Sequence, residues 1–184
     1  TSPIGVINRL LPKHMDLPDE DRMRIKMKPG RGVWGVEIKI ADEDGKALPW
    51  DGKTSGHLMV KGPWIASGYF RRDGDVLDAD GFFPTGDIAT VDADGYVTLV
   101  DRAKDVIKSG GEWISSVDLE NAAMGHPAVA EAAVIGVSHP TWQERPLLIV
   151  VPKEGRQPTR EDILDYLQQN VAKWWLPEDV VFVK

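Results

Sequence analysis

The chain has 184 residues, 42% of them hydrophobic and 28% charged, a composition typical of globular proteins with one or two domains and unlike that of disordered chains. Its 22 Lys and Arg residues and 29 Asp and Glu residues give a formal net charge of -7, which argues against a general nucleic-acid binder. Cysteine is absent, which excludes disulfides and thiol catalysis, and no apolar run approaches the roughly 20 residues that span a bilayer, so we expect a cytoplasmic protein without a transmembrane segment.

The first part of the chain is predicted to form antiparallel strands. One short helix is expected within the mixed-charge stretch 19–28, and a period of two then indicates a half-buried strand with Trp34, Val36, Ile38 and Ile40 on one face. Three Asp-x-Asp-Gly segments predict turns, because glycine supplies positive φ and aspartate caps the turn; they lie at 42–45, 78–81 and 92–95. Further strands are predicted at 58–61, 88–91 and 96–100. Residues 1–100 are therefore expected to form an antiparallel sheet or open barrel.

Beyond Asp101 the pattern changes to alternating helices and strands. Capping-box sequences at 115–118 and 159–162 each predict the start of a helix, the first ending near Gly125. Apolar strands are predicted at 130–137 and 147–151, between the two helices. This order is typical of a small α+β domain over residues 101–184. The final residues, Phe182-Val183-Lys184, are strand-like, and the chain begins at Thr1 without a methionine, so we expect a fragment of a longer protein.

The acidic turns and the tryptophans each allow a functional and a structural interpretation. Calcium loops need an acidic residue two positions before each Asp pair, where this chain has Ile40, Val76 and Thr90, so we interpret the segments as hairpin turns and assign no metal site. Of the seven tryptophans, those at 34, 64, 174 and 175 are expected to pack in the core, the last two at a helix end. Trp113 remains a candidate functional residue because of its neighbours.

The segment 101–113 contains the densest concentration of candidate functional residues. Arg102, Lys104 and Lys108 supply three cations within seven residues, and Gly110-Gly111 follow before a helix start. One interpretation is an anion-binding site, because cations and exposed backbone N–H groups both bind anions. The other is a solvated linker, which explains the same composition equally well.

A second candidate lies upstream at Thr85-Gly86-Asp87. An aspartate beside a glycine at the mouth of a strand can accept two hydrogen bonds from a vicinal diol such as ribose, or can simply cap a turn. Neither a P-loop nor a Rossmann glycine motif occurs in the chain.

Together these segments resemble the adenylate-forming superfamily of acyl-CoA synthetases, luciferases and carrier-protein-loading adenylation domains. The matching blocks occur in the family's order, at Thr1-Ser2-Pro3, 56–70, 85–87, 101–120 and Leu176-Pro177. The segment 108–116 is most similar to medium- and long-chain fatty acyl-CoA synthetases. The resemblance implies the end of a large domain, a distorted antiparallel β-barrel over residues 1–100, followed by a small mobile domain over 101–184. It also implies a reaction of fatty acid, ATP and CoA, through an acyl-adenylate, to acyl-CoA, AMP and pyrophosphate.

The resemblance also implies roles for individual residues. Asp87 would hold the ribose hydroxyls of ATP and AMP, and Arg102 would contact the ribose or a phosphate. Asp101 would be the hinge about which the small domain rotates between half-reactions. The remaining implied positions are Lys104 and Lys108 near the phosphates, Trp113 beside the nucleotide and acyl pocket, and Gly110 and Gly111 along the path of the pantetheine arm of CoA.

Other parts of the family pattern are expected outside this chain. The phosphate loop and the glutamate that binds Mg²⁺ should precede Thr1, and the catalytic lysine should follow Lys184, so the fragment alone is predicted to be inactive. Pro84 replaces a basic residue common before Thr-Gly-Asp. The alternatives are a non-catalytic nucleotide- or acyl-binding homologue and another adenylate-forming enzyme, either luciferase-like or carrier-loading.

Overall fold

The computed structural model describes residues 4–71 and 76–183, and the chain divides into two compact units, residues 1–103 and 104–184. The division falls after Ala103 and not at Asp101, because the last strand of the first unit runs through Arg102 and the amide of Ala103 still donates to Gly86 O at 2.9 Å. The Thr1-Ser2-Pro3 block and Lys184 lie outside the described residues. The elements found confirm the α+β class.

Antiparallel strands dominate the first unit. Its elements are β1 (Val6–Ile7), a 3-10 turn (Pro12–His14), α1 (Asp19–Lys26), β2 (Arg31–Gly32), β3 (Glu37–Ala41), β4 (Gly56–Lys61), β5 (Phe83–Val91) and β6 (Val97–Arg102). The last four strands form an antiparallel sheet in the order β3-β4-β5-β6, and β1 pairs with β2. Alternate residues of this sheet supply the buried cluster Ile40, Leu58, Ala89, Val91 and Val97.

The three Asp-x-Asp-Gly segments form the predicted turns with one repeated geometry. In each, Oδ1 of the first aspartate accepts backbone N–H groups two and four residues later, at 2.8–3.0 Å, from Asp42, Asp78 and Asp92. The glycine of each turn has φ of 81–82°. The carboxylate therefore organises the turn, and the glycine takes the left-handed conformation that closes it.

The half-buried strand predicted to include Trp34 and Val36 begins only at Glu37. Gly35 has φ of +80°, and the amide of Val36 donates to Val33 O at 2.9 Å, so these residues form a turn. Trp34 lies on that turn and is 90% exposed, which shows that its predicted place in the core was wrong. Trp64, at 40% exposed, also lies outside the core and donates its indole N–H to Ile4 O.

The second unit has a mixed sheet with β10 at its centre. Its elements are β7 (Ile107–Ser109), β8 (Glu112–Ile114), α2 (Ser116–Met124), β9 (Val129–His139), β10 (Gln143–Pro152), α3 (Arg160–Asn170), a 3-10 turn (Lys173–Trp175) and β11 (Asp179–Phe182). β10 pairs with β9 antiparallel, with β11 parallel and, through Gln143 and Ser109, with β7. The β7–β8 hairpin includes most of the second half of segment 101–113, so that part is regular structure and not a solvated linker.

Both predicted helices of this unit are confirmed. Ser115 Oγ caps α2 by accepting the amide of Asp118 at 3.1 Å, and Thr159 and Asp162 form a reciprocal capping box at α3. Ile163 and Leu167 of α3 are fully buried in the core. The tryptophans at 174 and 175 form a separate 3-10 turn and do not end the helix. Among the helices of the described ranges, none has the length and apolarity needed to cross a membrane.

Candidate functional site

Thr85-Gly86-Asp87 forms a wide bulge in the sheet of the first unit. His57 pairs with Ile88 and Met59 with Pro84, so Leu58 alone lies opposite these three residues. The Thr85 hydroxyl donates to Leu58 O at 3.0 Å and accepts the amide of Asp87 at 3.2 Å, while Gly86 takes φ of +81°. Bulges interrupt pairing and redirect side chains beside functional sites. The glycine and the hydroxyl together therefore fix the backbone that carries Asp87.

The carboxylate of Asp87 pairs with Arg102 across β5 and β6. The two residues are register partners, and Arg102 Nη1 lies 2.8 Å from Asp87 Oδ1. The Asp87 side chain is 24% exposed and that of Arg102 is 61% exposed. A carboxylate offers about four acceptor sites, of which this contact uses one. The pair thus presents both acceptors for a diol and a cation for a phosphate.

Asp101 lies inside the sheet. It is 8% exposed, pairs with Ile88, and its Oδ1 accepts the amide of Arg102 at 2.7 Å. Asp101 thus lies in the first unit, two residues before the division between Ala103 and Lys104, and its role as the hinge stays a prediction.

The other predicted site residues lie in the second unit. Lys104 has an 82% exposed side chain and a contact of 3.6 Å to Asp105, a solvent-exposed pair that contributes little to stability. Lys108 and Trp113 are register partners across the β7–β8 hairpin. The structure thus assigns Asp87, Asp101 and Arg102 to the first unit and Lys104, Lys108, Gly110, Gly111 and Trp113 to the second.

Gly110 and Gly111 form the tight turn of that hairpin. Their φ values are +61° and +86°, the left-handed pair that a two-residue turn requires. A Cβ on Gly110 would lie 2.8 Å from Cε3 of the Trp142 ring, whereas one on Gly111 would meet nothing within 4 Å. The amide of Gly110 also donates to Trp142 O at 3.0 Å. Gly110 is therefore required by both backbone conformation and space, and Gly111 by conformation alone.

A groove of about 600 Å³ lies beside this turn in the second unit. Two tryptophans, one arginine and two glutamates are among its walls, which are formed by Ser109, Gly110, Glu112, Trp142, Arg145, Trp174 and Glu178. The Trp142 side chain is 49% exposed and that of Trp174 is 44% exposed, so both rings have free surface. The two aromatic walls suit a flat ligand portion, and the charged side chains Glu112, Arg145 and Glu178 line the same groove.

Arg145 connects the elements that surround the groove. Its guanidinium donates to Ser109 Oγ at 3.0 Å, to the carbonyls of Trp174 and Leu176 at 2.9 Å each, and to Glu178 Oε1 at 3.2 Å. Four of its five N–H donors are thus used within the protein, and the side chain is 16% exposed. Arg145 therefore holds the groove walls together and has little capacity left for a ligand phosphate.

Trp142, Glu144 and Arg145 were missed by the sequence analysis. The strand was predicted from Leu147, but β10 begins at Gln143 and includes this charged pair. The available signal was the Glu144-Arg145 pair just before an apolar run. Two charged side chains in a half-buried strand need partners, which indicates that they contact other segments. Their partners lie in the 108–110 and 174–178 segments, which no local pattern could indicate.

Aspartates with a lowered pKa lie in turns and at a helix cap. Backbone N–H groups of Thr54 and Lys53 and the Thr54 hydroxyl stabilise the Asp51 carboxylate and lower its pKa to about 2. The Thr159 amide and hydroxyl lower the pKa of Asp162. Within residues 4–71 and 76–183, no three His, Asp or Glu side chains converge as a metal site requires. The Mg²⁺ ligand expected before Thr1 stays a prediction.

Comparison with known proteins relates this geometry to a family. Residues 118–184 match the AMP-binding enzyme C-terminal domain. The chain is 53% identical over 182 residues to 3-methylmercaptopropionyl-CoA ligase of Ruegeria lacuscaerulensis, covering 99% of this chain and 34% of the relative. It is 49% identical over 189 residues to long-chain-fatty-acid--CoA ligase of Thermus thermophilus, and the match covers 100% of this chain and 35% of the relative.

A solved structure of a related enzyme has a similar fold over most of this chain. The ATP-bound MatB from Rhodopseudomonas palustris matches with a TM-score of 0.72 and 34% identity, over 85% of this chain and 31% of that chain. The chain spans about a third of the length of the curated relatives that it matches. Residues 118–184 therefore belong to the AMP-binding enzyme C-terminal domain family, and the chain is similar in sequence and fold to adenylate-forming CoA ligases.

Proposed function

We propose that this chain is the carboxyl-terminal third of an AMP-forming acyl-CoA ligase. In that enzyme a carboxylate attacks the α-phosphate of ATP to give acyl-adenylate and pyrophosphate, and the thiol of CoA then displaces AMP. The observation that carries the proposal is the Asp87–Arg102 pair on its bulge, which combines diol acceptors with a cation. Asp87 would accept the ribose hydroxyls, and Arg102 would hold the same ribose or the adjacent phosphate.

The second unit would serve the transfer to CoA. Gly110 and Gly111 would leave room for the pantetheine arm, and the groove beside them would take a neutral or aromatic portion of CoA. Support comes from the Trp142 and Trp174 walls and from the engaged donors of Arg145. Glu112 and Glu178 add negative charge, which disfavours a phosphate inside the groove.

The cations of the second unit would act on the nucleotide. Lys104, whose side chain is 82% exposed, and Lys108 would approach the phosphates, and Trp113 would border the nucleotide and acyl pocket. The pivot of the family's rotation would lie at Asp101, near the end of β6 and just before the second unit begins at Lys104. Mg²⁺ would arrive with ATP and neutralise phosphate charge, through ligands outside this chain.

The acid is proposed to be aliphatic. Fatty acids are the first candidate, because a relative at 49% identity is a long-chain-fatty-acid--CoA ligase. A short thioether acid is the second, because the relative at 53% identity is a 3-methylmercaptopropionyl-CoA ligase. The proposal includes a cytoplasmic location, and it predicts that the 184-residue chain alone releases no pyrophosphate from ATP.

The test is product formation by the full-length protein that carries this chain. With ATP and Mg²⁺, acids from 3-methylmercaptopropionate through octanoate to palmitate are supplied, and acyl-CoA and AMP are quantified. Acyl-CoA from one range of acids supports the ligase and identifies its substrate. Nucleotide binding without turnover for any acid would favour a non-catalytic binding protein. Acyl-adenylate that is transferred only to a carrier protein would favour a carrier-loading enzyme, and light emission a luciferase-like one.

A further inference from the structure

The β7–β8 hairpin is too short to hold its own position. Each strand has three residues, and a single register pair, Ser109 with Gln143, joins it to β10. Isolated two-stranded hairpins are marginally stable in water. Additional contacts must therefore fix the Gly110-Gly111 turn, and three of them come from the four-residue segment 142–145.

The three contacts reach three successive residues of the hairpin. Glu144 Oε2 accepts the amide of Lys108 at 2.9 Å. Arg145 Nη1 donates to Ser109 Oγ at 3.0 Å. Trp142 O accepts the amide of Gly110 at 3.0 Å. The segment 142–145 thus acts as a brace that engages the last two residues of β7 and the first residue of the turn.

Two unusual features of the chain make the brace possible. Gln143 has φ of +67°, a region that residues other than glycine rarely adopt, and the amide of Glu144 donates to Trp142 O at 2.9 Å across it. Gly136 on the neighbouring strand leaves room for the carboxylate, because a Cβ there would lie 2.9 Å from Glu144 Oε2. Strained backbone of this kind is retained where the surroundings enforce it, often at functional sites.

We propose that Glu144 is a positioning residue for acyl transfer to CoA, acting through the Lys108 amide to fix the Gly110-Gly111 turn along the path of the pantetheine arm. This inference rests on the proposed function. A carboxylate makes a stronger hydrogen bond to an amide than a neutral acceptor does, and a turn displaced by about 1 Å can slow a reaction about 100-fold. Formation of the acyl-adenylate, which does not involve the pantetheine arm, would be nearly unaffected.

The first experiment measures the brace itself in the full-length protein that carries this chain. Amide hydrogen exchange is followed by NMR for wild type, Glu144→Ala and Glu144→Gln, with Glu131→Ala on the exposed part of β9 as the matched control. We expect exchange at Lys108 to be about tenfold faster or more in Glu144→Ala, with partial rescue by glutamine, which keeps an acceptor. The Val134 amide, which donates to Glu120 at 2.9 Å, is the internal reference and should not change.

The second experiment separates the two half-reactions in the full-length protein. Acyl transfer from preformed acyl-adenylate to CoA should slow about 10- to 100-fold in Glu144→Ala, while acid-dependent pyrophosphate release changes by less than about threefold. Unchanged exchange at Lys108, unchanged acyl transfer, or equal slowing of both half-reactions would overturn the inference. If the wild-type protein forms no acyl-CoA, the proposed function fails, and the exchange result alone upholds or overturns the brace.

Discussion

Asp87 and Arg102 are joined across β5 and β6, with Arg102 Nη1 2.8 Å from Asp87 Oδ1, one residue before the first unit ends at Ala103. The strand that carries the cation is thus the strand that leads into the second unit. The Asp87 side of the pair is fixed by the Thr85-Gly86 bulge, and the Arg102 side by the buried Asp101 carboxylate. The proposed nucleotide contact Arg102 and the start of the second unit at Lys104 are therefore only two residues apart in the chain.

The two glycines of the hairpin turn should respond differently to alanine. Gly111→Ala should lower the free energy of unfolding of the second unit by about 1–2 kcal/mol, because only the left-handed backbone disfavours the new Cβ. Gly110→Ala should cost about 1–3 kcal/mol more, because its Cβ would also overlap the Trp142 ring. The stability of the second unit, measured by exchange of its core amides, gives both values. Equal costs would show that the Trp142 contact does not constrain Gly110.

The Trp142 ring should contribute to affinity for CoA. In the full-length protein, Trp142→Ala should raise the KM for CoA about tenfold, if the ring stacks on a flat portion of CoA, and leave the KM for ATP unchanged. Trp142→Phe should restore most of the affinity. Trp34→Ala, at a 90% exposed tryptophan of the first unit, is the control. An unchanged KM for CoA in Trp142→Ala would exclude the groove as part of the CoA path.

Replacing Arg145 should destabilise the second unit strongly. Arg145→Ala removes four hydrogen bonds and leaves the carbonyls of Trp174 and Leu176 without this donor, at an expected cost of about 2–4 kcal/mol. Arg145→Lys should recover only part of the lost stability, since an ammonium group cannot reproduce the planar arrangement of N–H donors in a guanidinium. Exchange of the Leu148 and Val150 amides measures the loss. A lysine variant as stable as wild type would contradict the proposed geometry.

Asp51 should give the chain an acid-dependent component of stability. Its pKa is lowered to about 2 by the amides of Thr54 and Lys53, against about 3.9 in an unfolded chain. The unfolded state therefore binds more protons in this range, so the contribution is complete above about pH 4 and is lost as the pH falls towards about 2. A carboxyl titration by NMR should give a midpoint near 2, and Asp51→Asn should remove this component. A midpoint near 4 would contradict the loop geometry.

The sequence predicted the local structure well and the contacts between distant segments poorly. Capping residues such as Ser115 and Thr159, and the Asp-x-Asp-Gly turns, are encoded within four or five residues, and the structure confirms them. The prediction that Trp34 packs in the core was wrong, because Gly35 at positive φ forms a turn where the period-two pattern indicated a strand. The β7–β8 hairpin and its brace depend on Glu144 and Arg145, which lie more than 30 positions away from Lys108 and Ser109. Such pairs are determined by the packing of β10 and have no local signature.

The most direct measurement is AMP formation by the full-length protein with ATP, Mg²⁺ and an aliphatic acid, with and without CoA, for wild type and Asp87→Ala. Asp44→Ala, in the first exposed turn, is the matched control. We predict CoA-dependent AMP formation by wild type and by the control, and a loss of about 10- to 100-fold in kcat/KM for ATP in Asp87→Ala, the expected effect of removing a charge-assisted hydrogen bond to ribose. Wild-type AMP formation with an unchanged kcat/KM in Asp87→Ala would contradict the assignment of the ribose site, and no AMP with any acid would contradict the ligase itself.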